Sequence, residues 1–272
     1  MRSALLPLLL AACTPAAIAP PRHDPPRRIV SLNLCADQQL LALADDAQIA
    51  GLTRLSRDPA MSAGARRAAR LPVMDASAED LLALQPDLVL TDAGFPAPAL
   101  AALPQAAFRT VPLGWVARYD DIVAQLRQVG DAVGHRDRAE ALVVRMDRAL
   151  ATIDKAAGKG RIAADYQRRG FLTGSGTLVD ELMGRVGLVN LATQLGKPAL
   201  SQLALEEMVA AHPDLILRSE SAQVVDRGTE LLAHPAIAGV ARADLPQAWT
   251  VCGGPAYVLA AERLARTLAR RG

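Results

Sequence analysis

The sequence predicts an α/β chain of two lobes joined by one long helix. Three observations carry that expectation. Residues 134–158, near the middle of the 272-residue chain, place Ala139, Leu142, Val143, Met146, Leu150 and Ile153 at the i, i+3, i+4, i+7 spacing of one helical face. The other face is charged, and Gly134 and Gly158 flank the run as breakers. A helix-Pro-Asp-strand unit occurs twice: residues 79–90 (EDLLALQPDLVL) align without a gap on residues 206–217 (EEMVAAHPDLIL), at an offset of 127. Such units are ordinary α/β grammar singly, but two copies placed on either side of the central run suggest a duplicated lobe. The chain is also long enough for one large or two medium domains with cores of their own. As one uninterrupted helix, 134–158 would be about 35 Å long and could cross between lobes. Periodicity alone suits a surface helix of a single domain equally well.

From the amino terminus, residues 1–12 read as an export signal, with Arg2 followed by an apolar run too short to span a bilayer. Leu10-Ala11-Ala12-Cys13 resembles a bacterial lipobox, which makes Cys13 the lipidated residue, with cleavage after Ala19 as the rival. Residues 13–27 are then a proline-rich tether to a membrane surface. The first lobe, 28–133, starts with a strand at 28–32 and a helix at 36–44, with Asn33 and Cys35 in the turn between them. A strand at 49–52 follows. Ser77-Ala78-Glu79-Asp80 has the form of a capping box, Leu81, Leu82 and Leu84 give its helix an apolar side, and Pro86 ends it before the strand 88–90. A strand at 108–113 and a helix at 120–133 lead to the central run. In the second lobe, 159–272, strands are expected at 161–164 and 170–173, a helix at 178–186, the second paired unit at 205–217, and a last helix from Pro255 to Arg270.

Composition narrows the function. The chain is 51% hydrophobic but only 3% aromatic, so the core is Leu, Ala and Val; a net charge of +2 from dispersed arginines does not suggest nucleic-acid binding. The 4 histidines, His23, His135, His212 and His234, form no metal motif, and none falls in a predicted strand-end loop. Gly174-Ser175-Gly176-Thr177 before a helix has the look of a phosphate cradle, yet it lacks the lysine of a P-loop and the elbow of a serine hydrolase. Cys35 and Cys252 remain as a redox possibility without a Cys-x-x-Cys pattern. An exported redox or hydrolytic enzyme, or a non-transport sensor or scaffold lipoprotein, is therefore the rival to a binding protein.

Several segments together resemble a known family: RIVSLN at the first strand, the two units AEDLLALQPDLVL and LEEMVAAHPDLIL, TLVDELMGRVGLVNLA after the central run, and CGGPAYVLAAERL near the end. In this order they resemble the periplasmic substrate-binding proteins of ABC importers for cobalamin and iron chelates, over about residues 28–269. The resemblance implies two Rossmann-like α/β lobes joined by a single long backbone helix. It also implies a monomeric, non-enzymatic periplasmic receptor without a cofactor of its own, although its ligand carries cobalt or iron. Its partners would be an ABC transporter permease and its ATPase, and a glutamate on each lobe, here Glu79 and Glu206, would dock onto permease arginines. The alternative role for each glutamate is to complement its helix amino terminus, which suits Glu79 behind Ser77 better than Glu206, where Ala204 offers no cap.

Ligand is expected between the lobes, at the carboxyl ends of the strands. The candidate lining is Asn33, Cys35, Leu55, Val73, Met74, Trp115, Tyr166, Trp249 and Cys252, with the aromatic faces suited to a large planar chelate. Leu55 and Val73 stand where the cobalamin binder of this family would have cleft aromatics, and Cys252 where it would have a polar contact. For Cys35 and Cys252 three outcomes are open: an inter-lobe disulfide, two thiols on the ligand or its metal, or two small apolar residues. Ligand-facing thiols rank first, because a cleft wide enough for a corrin would hold the two Cα atoms beyond disulfide reach.

Overall fold

The computed structural model describes residues 24–94, 97–101, 108–219 and 225–271. The export signal, Cys13 and most of the tether lie outside the described residues. The first half of the chain runs β1 (Ile29–Ser31), α1 (Leu34–Leu43), β2 (Ile49–Thr53), α2 (Ala65–Ala68), β3 (Val73–Met74), α3 (Ala78–Leu84), β4 (Leu88–Asp92), α4 (Pro98–Ala101), β5 (Arg109–Leu113), α5 (Tyr119–Val133) and α6 (Arg136–Ala151). Its strands form one parallel sheet in the order β3-β2-β1-β4-β5. The second half runs β6 (Ile162–Asp165), β7 (Phe171–Thr173), α7 (Leu178–Arg185), β8 (Val189–Asn190), α8 (Leu191–Gln194), β9 (Leu200–Gln202), α9 (Leu205–Ala210), β10 (Leu215–Arg218), β11 (Ala241–Asp244) and α10 (Ala256–Ala269). Here the parallel order is β11-β10-β6-β8, and β7 pairs antiparallel with β9. Two parallel sheets with helices packed on them make a two-lobe α/β fold.

The paired units show why Pro-Asp recurs. Gln85 and His212 both turn left-handed at the helix end, with φ of 45° and 46°, and the proline that follows each cannot continue a helix. The next residue pins the neighbouring strand. Asp87 accepts hydrogen bonds from the backbone N–H of Arg27 at 2.7 Å and of Arg28 at 3.0 Å, while its own N–H donates to Arg28 O at 3.0 Å. Asp214 accepts from Ile162 N at 2.7 Å and donates to Ile162 O at 2.8 Å. Each Asp thereby fixes the start of an inner strand of the sheet, β1 or β6, beside its own.

The central helix is shorter than its sequence pattern. α6 ends at Ala151, 16 residues from its start, which is about 24 Å at the usual rise. Thr152 Oγ1 donates to Ala149 O at 2.7 Å, and the Asp154 carboxylate then accepts from Ala156 N at 2.8 Å, turning the chain out of the helix. Ile153 and Ala157 remain buried in the same core as Val143, Met146 and Leu150, so the apolar rhythm continues past the helix that produced it. At the other end Gly134, at φ 82°, caps α5, and α5 packs against α6. Gly130 makes that close approach possible, since a Cβ there would sit 2.5 Å from Ala139 Cβ. Arg127 and Glu140 bridge the two helices at 2.9 Å.

Candidate functional site

The carboxyl ends of β1, β4 and β5 in one sheet and of β6, β10 and β11 in the other open on a shared cleft of about 650 Å³. That size lies within the range of about 300–1,000 Å³ common for small-molecule sites. The cleft floor is closed. Cys35, at the start of α1, and Cys252, before α10, form a disulfide with Cα atoms 5.1 Å apart. This corrects the expectation that the two thiols face the ligand: the lobes meet closely at this end, and the cleft widens away from it. Gly253 allows the approach, because a Cβ there would stand 2.2 Å from Val116 Cγ1 across the lobe boundary. Gln39 donates through Nε2 to Gly253 O at 2.7 Å and to Gln125 Oε1 at 3.1 Å, and Gln125 Nε2 donates to Gly114 O at 2.7 Å. Beyond this junction the Tyr119 and Tyr257 rings stack at 5.8 Å, with the Arg185 guanidinium 5.2 Å and 5.7 Å from their centroids. Arg185 Nε donates to the Tyr257 hydroxyl at 2.9 Å, that hydroxyl donates to Glu181, and Tyr119 donates to Asp147 at 2.7 Å. Burial, and then the neighbouring carboxylate, raises the pKa of both tyrosines.

The mouth is different. Trp115, after β5, is 80% exposed, and Leu200, on β9, is 65% exposed; both line the cleft from opposite lobes. Its second-lobe wall also carries Asp165, Gln167 and Arg168. Asp165 is buried at the end of β6, and burial lifts its carboxyl to about 6 against the opposing pull of hydrogen bonds from Thr173 and Gln167. Arg168 pairs with Asp226 at 2.9 Å, which holds Asp226 down to about 2. Asn33 accepts from Ala36 N at 2.9 Å as the cap of α1 and also lines the cleft. No group of three or more metal-ligating side chains occurs among the described residues, and none of them forms a helix long and apolar enough to cross a membrane.

Of the nine residues expected at the cleft, Asn33, Cys35, Trp115 and Cys252 line it. The others lie elsewhere. Tyr166 is fully buried in the second-lobe core and donates to Leu203 O at 3.0 Å. Met74 is buried beneath the first sheet, and Val73 packs against the main core. Leu55 is half exposed on a short helical turn after β2. β2 and β3 form the far edge of the sheet order, whereas β1, β4 and β5 face the second lobe, and this separates all three from the cleft. Trp249 packs against the core with Arg263 5.6 Å over its ring. Asp165, Gln167, Arg168 and Leu200 are lining residues that the sequence reading missed.

Glu79 and Glu206 are both exposed, in the first turns of α3 and α9. Ser77 and Asp80 form the capping box on α3, whereas Ala204 gives α9 no side-chain cap. The Gly-Ser-Gly loop is already occupied: Gly176 N donates to the Asp180 carboxylate at 3.1 Å. That negative charge opposes a phosphate in the same place.

Two α/β lobes with parallel sheets on either side of a ligand-sized cleft are a frame that suits solute-binding proteins. The periplasmic binding protein family profile matches residues 29–243, and the chain is a member of that family. Among solved structures it is similar to the periplasmic haem-binding protein RhuT from Roseiflexus sp. RS-1 in apo form, at 24% identity and TM-score 0.72, covering 90% of this chain and 98% of that one. It is also similar to a periplasmic haem-binding protein from Pseudomonas aeruginosa, at 22% identity and TM-score 0.69, covering 90% and 93%. A third is Helicobacter pylori CeuE with Ni(II) bound, at 17% identity and TM-score 0.70, covering 91% and 85%. No curated protein sequence matches the chain.

Proposed function

We propose that the protein is the periplasmic receptor of an ABC importer and captures a metal chelate, of the haem, corrinoid or ferric siderophore class, in the inter-lobe cleft. The observation that carries this reading is the mouth of the cleft, where Trp115 and Leu200 stand exposed on opposite lobes beside Arg168 and the buried Asp165. Exposed apolar side chains facing one another across a cavity suit a ligand with broad apolar faces, and Arg168 suits an anionic substituent at its edge. Two of the similar structures are haem-binding proteins, which supports the same ligand class. The receptor is held at the membrane by Cys13 and delivers its cargo by docking Glu79 and Glu206 on the permease, whose ATPase drives release. The lobes are residues 28–133 and 159–272. The protein acts as a monomer and not as an enzyme.

Titrating the protein with haem, cobalamin, cobinamide and ferric siderophores while following tryptophan fluorescence tests this. Saturable quenching by at least one chelate is expected, and Trp115→Ala weakens that binding about tenfold or more, the scale of one large side chain's burial. If no chelate binds, or if the one that does is indifferent to Trp115→Ala, the cleft assignment fails. Reversing Glu79 and Glu206 to Lys abolishes uptake in a reconstituted importer with affinity unchanged, since rim charges steer a partner rather than hold the ligand.

A further inference from the structure

A second cavity lies away from the chelate cleft, where α1, α6 and α10 meet. It has a volume of about 430 Å³ and is lined mostly by apolar side chains, among them Leu41, Leu142, Met146 and Leu259. A cavity of about 150 Å³ is enough for benzene, so this one can hold an apolar body two to three times as large. Two polar groups interrupt the lining. Gln38 is only 8% exposed, and its Nε2 has no hydrogen-bond partner among the described residues. Its neighbour Gln39 uses its amide at the cleft floor instead, so successive residues of α1 serve different cavities. Arg145 stands at the groove on α6, exposed and without an ion pair among the described residues. Ser62, immediately before the lining residues Ala63 and Gly64, is buried with its Oγ likewise unpartnered.

We propose that this groove binds a monocarboxylate with an apolar tail, of the medium-chain fatty acid kind. The tail lies among Leu41, Leu142, Met146 and Leu259, while the carboxylate accepts from the Arg145 guanidinium at the exposed edge of the groove. Arginine is the side chain whose paired donors fit a carboxylate. An amine-headed chain would meet the wrong charge, and a neutral alcohol would leave Arg145 without its partner. Because α1, α6 and α10 all border the groove, an occupant bridges helices from both sides of the chain.

Calorimetric titration of the purified protein with dodecanoate, dodecanol and dodecylamine, each below its aggregation threshold, tests the assignment. Dodecanoate is expected to bind saturably, Arg145→Ala to weaken it at least tenfold, and Ala42→Phe, which fills the groove, to abolish it. Chelate binding in the cleft should survive Arg145→Ala unchanged. Equal binding of dodecanol, or dodecanoate binding unaffected by either substitution, would overturn the proposal, as would no binding at all. If the groove instead joins two copies of the chain, the sedimentation coefficient of the free protein rises with concentration and dodecanoate lowers it, which also contradicts the small-ligand assignment.

Discussion

The floor and the mouth of the inter-lobe cleft are built on opposite principles. At the floor the lobes are tied together: the disulfide joins α1 to the segment before α10, Gly253 sits against Val116, and Gln39 donates to Gly253 O. At the mouth Trp115 and Leu200 face solvent. The contrast teaches that this protein fixes the spacing of its lobes covalently at one end of the cleft and leaves apolar side chains open to solvent at the other. Closure by large hinge motion has little room in such a design.

The largest expected effect comes from breaking the floor. The two cysteines are 217 residues apart in sequence, and closing so long a loop is worth on the order of 5 kcal/mol in the chain-entropy picture. Cys35→Ser with Cys252→Ser should lower the melting temperature by about 10 °C or more for a chain of this size, with chelate affinity changed less than about threefold. A large affinity loss without a stability loss would restore the idea of ligand-facing thiols. Next comes the aromatic clasp. Arg185→Ala removes a guanidinium that touches both Tyr119 and Tyr257 and strands the bond to Glu181, so denaturant unfolding should show about 2–3 kcal/mol lost. A change below about 0.5 kcal/mol would mean the clasp contributes little.

A smaller effect is pH-dependent. Burial raises Asp165 and Asp37 from an ordinary value of 3.8 to about 6, Asp37 despite hydrogen bonds from Ser31 and Thr53. A raised carboxyl pKa means the fold favours the protonated form, so the contribution of these two groups is full below about pH 4 and is lost as pH rises through about 6. Each group contributes at most about 3 kcal/mol to that decline. Asp165→Asn should flatten part of the slope between pH 4 and 6 and raise the melting temperature at pH 7. An unchanged slope would show that Asp165 ionises normally.

Much of the scaffold was legible because local chemistry decided it. The Pro-Asp units, the Ser77 cap and the missing cap at Ala204 each follow from residues within a few positions of one another. The end of α6 was not legible, because Ile153 and Ala157 keep facing the core after the helix stops. Tyr166 was misplaced by counting aromatics near strand ends. The alternation of β6 was the better signal: Ala164 and Tyr166 share the second-lobe core, while Asp165 between them faces the cleft. The disulfide depends on how two distant turns meet, which no local pattern encodes.

Small-angle X-ray scattering of the oxidised protein, alone and saturated with the chelate that quenches Trp115, tests the contrast between floor and mouth most directly. The account predicts a radius of gyration unchanged within error, with the ligand covering Trp115 while the lobes stay at their disulfide-set spacing. A clear drop on binding would contradict it, because the lobes would then be closing around the ligand on a floor that is not rigid.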